Sequence, residues 1–335
     1  MIKNSLYIIC FAISTFLLPP NLAAQHRFKL FHKIDSVLDI RQLKSKIDTN
    51  YVSRPDHHLT LRLINNISGT DFTLKAIDEQ DEDVDFRFKD PIRHTITLGA
   101  NYRGLAVSIA FNPSHLFGKK TSTEINVNSY SNRYGFDFIY ETNGQFEGEV
   151  DWGGEVYDLN TEIREKSLTI NGYYAFNGRK FSYPAAFSQS YIQKRSAGSL
   201  MAGLSYHRTS VSIMQDEDIE YDSEDIRKFK LSYASVGVGY GYNFVPNSRW
   251  LIHLSTLPTI VFWRDNKIIK MVGVEAMGST FPEIAIVARF SLVHYFKHFF
   301  MGLTTVYNYT SAGDYDYFRL RHNKWRSRII IGKRF

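Results

Sequence analysis

The chain has 335 residues, a formal net charge of +6, 44% hydrophobic and 15% aromatic residues, and one cysteine. That cysteine, Cys10, has no second thiol to pair with, so intrachain disulfides and thiolate metal clusters are excluded. Beyond residue 24 no apolar run approaches the ~18 residues that a membrane-spanning helix needs, yet the chain carries 21 Tyr and 25 Phe.

Residues 1–24 predict a signal peptide, with Lys3 ahead of an apolar stretch over 6–18 and Leu22-Ala23-Ala24 before Gln25 as the cleavage site. Cys10 falls inside it. A basic chain in the cytosol suggests nucleic acid as partner, but export overrides that expectation. Over residues 25–48, Leu30, Phe31, Ile34, Val37 and Leu38 recur at helical spacing, among Lys29, Lys33, Arg41, Lys44 and Lys46. Residues 25–55 therefore read as an amphipathic helix with its lead-in, and 56–335 as a separate β domain. The helix either rests on a rim of that domain or folds into it as a plug.

From residue 59 the apolar period changes from helical to two. Leu59, Leu61 and Leu63 alternate with Thr60 and Arg62. Ile96, Leu98, Ala100 and Tyr102 follow, with a tight turn at Arg103-Gly104 and a return through Leu105, Val107, Ile109 and Phe111. Further strands read at 125–129, 134–140 and 168–176. Asn177-Gly178 is the strongest short hairpin signal and leads into an expected strand through Phe181 and Tyr183. Strands then read at 200–206, 211–213, 229–244, 250–254, 284–292, 303–309 and 325–335.

The gaps fall into two classes. Short turns lie near 103–104, 131–133, 177–179, 208–209, 245–249 and 297–298. Long loops lie near 67–92, 113–121, 142–163, 188–196, 214–228, 263–281 and 310–324. Seven long loops alternating with six short turns predict 14 antiparallel strands, with a range of 12–16 because 72–74 and 84–88 extend or add strands. Strand alternation alone also fits a secreted β-sandwich. Long-short alternation of the loops is the pattern of a transmembrane up-and-down β-barrel in a Gram-negative outer membrane, with short periplasmic turns. Tyr102, Phe111, Tyr140, Phe176, Tyr206, Phe244, Trp250 and Tyr309 are the expected aromatic girdles. Phe335 ends the last strand on an apolar alternation with Ile329 and Ile331, the expected tag for the barrel-assembly machinery, although Lys333 breaks the pattern.

Charge is unevenly placed. Carboxylates crowd the expected outer loops, above all Asp216, Asp218, Asp222 and Asp225. A hard divalent cation or lipopolysaccharide bridged by one fits such a loop, as does a solvated, self-repelling one. Ligand spacing of a Ca²⁺ loop is lacking, so no metal or other cofactor is expected. If Ile329 and Ile331 face lipid, Arg326, Arg328 and Arg334 face the lumen, as do Arg62 and Arg289 by the same parity. They either make the lumen select anions or pair with carboxylates and brace it. Adjacent His57 and His58 point to opposite faces and share no metal. With no nucleophile elbow, zinc-helix or phosphate-loop motif, no enzymatic activity is expected. The readings are a channel or transporter for small solutes, a structural barrel with a filled lumen, and, more distantly, an outer-membrane hydrolase, in each case a monomer in lipid.

Four stretches carry a family resemblance. They are 48–55, 98–108, the run Phe181-Ser182-Tyr183-Pro184-Ala185-Ala186-Phe187-Ser188-Gln189-Ser190 continuing to 196–199, and the Phe-ended last strand. Together they resemble an uncharacterised Bacteroidota family of exported proteins, catalogued as a domain of unknown function. The resemblance implies an outer-membrane barrel and supplies no ligand or catalytic residue. In architecture alone, 14 strands with an N-terminal plug resemble the hydrophobic-compound transporters of the fatty-acid uptake class.

Overall fold

The computed structural model describes residues 47–335 apart from 56, 58, 78–82, 91, 103–104, 112–122, 144–146, 153, 160–162, 214–225, 277, 279–282 and 315–317. The expected signal peptide, nearly all of the expected N-terminal helix, and Asp216, Asp218, Asp222 and Asp225 lie outside the described residues.

Among the described residues twelve long strands succeed one another: β1 (Leu59–Ile77), β2 (Arg93–Tyr102), β3 (Leu105–Phe111), β4 (Thr123–Tyr130), β5 (Tyr134–Asn143), β6 (Ile163–Ala175), β7 (Ala197–Ile213), β8 (Ile226–Asn247), β9 (Trp250–Arg264), β10 (Ile284–Tyr295), β11 (Phe299–Asp314) and β12 (Phe318–Arg334). Each is hydrogen-bonded to the next in sequence, β3 with β4 excepted among the described residues, and β12 pairs antiparallel with β1 from Phe318↔Ala76 to Arg334↔Thr60. A meander whose last strand pairs with its first has the topology of an up-and-down β-barrel.

Strand parity explains the wall. Leu61, Leu63, Leu98, Phe136, Leu200, Leu204, Val236, Val238, Leu254, Ile329 and Ile331 point outward and are exposed. Such a belt would drive aggregation in water and suits hydrocarbon. Toward the short turns it becomes aromatic, with Tyr134, Phe176, Tyr242, Phe244, Trp250, Phe299 and Phe335 exposed. Tyr140, Tyr206 and Tyr309 are half-buried, and the side chains of Tyr102 and Phe111 lie outside the described residues. Phe335 exchanges backbone hydrogen bonds with Leu59. The pattern-breaking Lys333 lays its ammonium over the Phe335 and Phe299 rings, at 4.7 and 5.5 Å from their centroids.

Among the described residues the twelve long strands stand at the lower end of the expected range of 12–16, below its central value of 14, for two local reasons. β7 runs straight through 208–209, where Arg208-Thr209 offers no glycine, proline or asparagine to turn on. Residues 181–183 form no strand: Pro184 cannot donate to a ladder, and Tyr183–Phe187 make a one-turn helix, α1. Residues 188–196, expected as an outer loop, belong to the same connection on the short-turn side. At the opposite end β1 extends beyond β2, and its residues 71–77 pair with strand Asp83–Lys89. That strand pairs in turn with Glu147–Trp152, which pairs with Glu155–Leu159.

Candidate functional site in the barrel interior

Inward positions along single strands sort the lumen into three tiers. On β6 they read Ile163, Glu165, Ser167, Thr169, Asn171, Tyr173 and Ala175, apolar at both ends and polar between. On β12 they read Leu320, His322, Lys324, Arg326, Arg328 and Ile330.

At the loop end the inward side chains form an apolar cluster. Phe72, Leu74, Phe88, Ile163, Val211, Phe229, Leu231 and Leu320 are all buried in it.

At the turn end the β6–β7 connection packs against the inner wall. Ser182 caps α1 by accepting from the Ala185 N–H, and Pro184 occupies the first turn, where its missing N–H costs nothing. Five residues of helix do not persist alone, and their last carbonyls have no intrahelical partner. The wall supplies donors. Ser291 donates to the Ala186 carbonyl at 2.8 Å and Tyr295 to that of Ala185 at 3.3 Å. Arg62 donates to the Ser188 carbonyl at 3.2 Å and Arg334 to that of Gln189 at 3.1 Å. Asn243 donates to the Ser182 carbonyl and to Gln193, both at 2.9 Å. Residues 52–53 pair with 192–193 below it. Phe181, Tyr183 and Phe187 pack around His253. Gly241 makes room for this, since a Cβ there would sit 3.1 Å from the Phe181 ring. Burial pushes the Tyr183 phenol up to about 12, with Arg289 opposing and Asp137 adding, so it stays a neutral donor.

The middle tier is polar. Glu141, fully buried, accepts from both Lys324 and Arg326, the latter at 2.6 Å. Asp137 accepts from Arg289 at 2.7 Å and from the Tyr130 hydroxyl. A cavity of about 70 Å³ lies among Asp137, His207, Arg289, His322, Arg326 and Arg328. At ~10–15 Å³ per water position it holds several waters or one small solute. Among the described residues no cluster of three or more His, Cys, Asp or Glu is placed to hold a metal.

The five arginines singled out from the sequence thus separate. Arg289, Arg326 and Arg328 line the central cavity, whereas Arg62 and Arg334 hold the plug. Sequence reasoning missed the plug and the luminal carboxylates Asp137 and Glu141. The sequence did carry a signal for the plug in Ser182-Tyr183-Pro184, an N-cap followed by a helix-starting proline. At the loop end, burial raises the Asp90 carboxyl to about 6 against the pull of Arg93, 2.9 Å away.

The family described as "Domain of unknown function (DUF4421)" matches residues 46–335. No curated protein matches the sequence. Among solved structures, the Escherichia coli outer membrane protease OmpT is similar at 10% identity and a TM-score of 0.42, over 84% of this chain and 97% of that one. OprG of Pseudomonas aeruginosa is similar at 10% identity and a TM-score of 0.27, over 83% and 96%. The Pseudomonas putida toluene transporter TodX is similar at 9% identity and a TM-score of 0.28, over 84% and 91%.

Proposed function

The chain belongs to the family described as domain of unknown function DUF4421, whose description carries no activity, and we propose that it is an outer-membrane barrel that does not conduct at rest. In this reading it is exported, inserts as a monomer through its Phe335-ended strand, and serves as a braced scaffold carrying the outer sheet extension. The observation that carries this is the segment 177–196, folded across the lumen and hydrogen-bonded to β1, β8, β10 and β12. Spontaneous opening would expose three buried aromatics at ~2 kcal/mol or more each and break half a dozen hydrogen bonds at ~1 kcal/mol each. An opening cost on the order of 10 kcal/mol leaves the open state far below one molecule in a million. Transport of a small solute by displacement of the segment is the second reading, favoured by the central cavity with its arginines.

Single-channel recording of the folded chain in a planar bilayer tests this. Silence is expected. Steps from the unaltered chain would overturn the proposal. Steps that begin only when 178–195 are replaced by a short Gly-Ser turn would identify the segment as the barrier and move transport to first place.

A further inference from the structure

We infer that Ser255, His253 and Asn243 form a serine-hydrolase-type site in the wall between the plug and the central cavity, closed at rest, whose serine takes a small acyl ester that enters through the central cavity when the lumen opens. His253 and Ser255 are alternate inward residues of β9, and Asn243 faces His253 across the β8–β9 ladder. The His253 Nε2 lies 2.9 Å from Ser255 Oγ, and its Nδ1 lies 2.7 Å from Asn243 Oδ1. These are the nucleophile–base and base–orienter separations that activated serines require.

Proton direction follows from the surroundings. The Asn243 amide nitrogen donates to the Ser182 carbonyl and to Gln193 Oε1, so its Oδ1 is the end that faces His253. An amide oxygen only accepts, so Nδ1 of His253 carries the proton and Nε2 has the lone pair. In its contact with Nε2 the Ser255 hydroxyl is then the donor, the polarity needed to remove its proton, while the Tyr183 hydroxyl is its second hydrogen-bond partner. A second histidine provides the contrast. His207 contacts Thr209 Oγ1 through Nε2 at 2.5 Å and Thr169 Oγ1 through Nδ1 at 2.9 Å. Both neighbours are hydroxyls that donate or accept, so nothing fixes its tautomer.

Ser255 also faces space. It lines a small cavity of about 10 Å³ with Tyr183 and Arg289. Asn171, Ser205, Val287 and Arg289 line both that cavity and the central one, so the two adjoin. In the reaction, Ser255 Oγ bonds to the acyl carbon while its proton passes to His253 Nε2. The Tyr183 hydroxyl, which hydrogen-bonds Ser255 and Arg289, and the Arg289 guanidinium, which also holds Asp137, line the same space and would have to turn from those partners to donate to the carbonyl oxygen as it gains charge. His253 returns the proton to the leaving oxygen as the ester C–O bond breaks, releasing an alcohol. Water then adds to the acyl-serine through the same base and releases the carboxylic acid. Asn243 is a positioning residue.

The test is covalent labelling of the folded chain by phenylmethanesulfonyl fluoride, read by peptide mass mapping, with p-nitrophenyl acetate turnover alongside. It is run on the unaltered chain and on Leu231→Ala, which thins the loop-end cap. One adduct at Ser255 is expected, absent in Ser255→Ala, kept in Ser205→Ala, and formed at least ~10²-fold more slowly in His253→Gln. Asn243→Asp should keep labelling and move its acidic limb to higher pH, because a carboxylate beside the imidazole favours the imidazolium. A purely structural hydrogen-bond chain would show no such pH shift. No Ser255 adduct in either folded background, or equal rates with and without His253, would overturn the proposal.

Discussion

The barrel places the same kind of ion pair in two settings, and the comparison shows what each is worth. In the outer sheet extension Lys75 meets Asp85 at 2.8 Å and Arg87 meets Asp151 at 3.3 Å, with the lysine and arginine side chains about half exposed. In the lumen Glu141 meets Lys324 and Arg326 with its own side chain wholly buried. Distances are similar and surroundings are not. Water and salt screen the outer pairs, and each long side chain gives up rotamer entropy to form them. Within the barrel only the few waters that the central cavity holds could replace a lost partner, so the pair is held by what its breakage would leave behind.

The largest expected effect follows directly. Glu141→Gln leaves Lys324 and Arg326 sharing no carboxylate and should cost about 3–5 kcal/mol by denaturant unfolding in detergent, with little dependence on salt. A cost under ~1 kcal/mol would erase the distinction between lumen and rim. Asp90 sharpens it from the other side, as a buried acid at the loop end whose partner does not fully offset its desolvation. Its folded value of about 6 lies above the unfolded carboxylate value, so its stability contribution is complete below pH ~4 and is lost as pH rises through 6. The loss is at most ~3 kcal/mol, and Asp90→Asn should flatten the unfolding profile between pH 4 and 6.

Smaller effects probe the plug. Gly241→Val forces a side chain toward the Phe181 ring and should cost ~1–3 kcal/mol, with proteolysis increased selectively within 177–196. Ser182→Ala removes the α1 cap and a 2.7 Å hydrogen bond to Asn132, at ~1 kcal/mol. Smallest of all, Lys75→Ala should cost under ~1 kcal/mol and nothing measurable in high salt. Salt-independent destabilisation by Lys75→Ala would mean that the outer sheet shields its charges as the lumen does.

Period-two alternation, the aromatic wealth and the long-short rhythm of the gaps were legible in the residues, because lipid on one face and polar interior on the other impose them strand by strand. So was the inward parity of Arg62, Arg289, Arg326, Arg328 and Arg334, which is a local property of each strand. The count of strands was less legible, since Asn177-Gly178 imitates a hairpin and β7 passes through a stretch that reads as a turn. What those arginines meet could not be read at all. Arg289 finds Asp137 from 152 positions away, and Arg326 finds Glu141 from 185. Arg62 and Arg334 are drawn to the plug by the carbonyls of Ser188 and Gln189, just past one short helix. Residue type and parity fix which way a side chain points; only the return of β12 to β1 brings distant strands across one lumen, where burial then decides which contacts count.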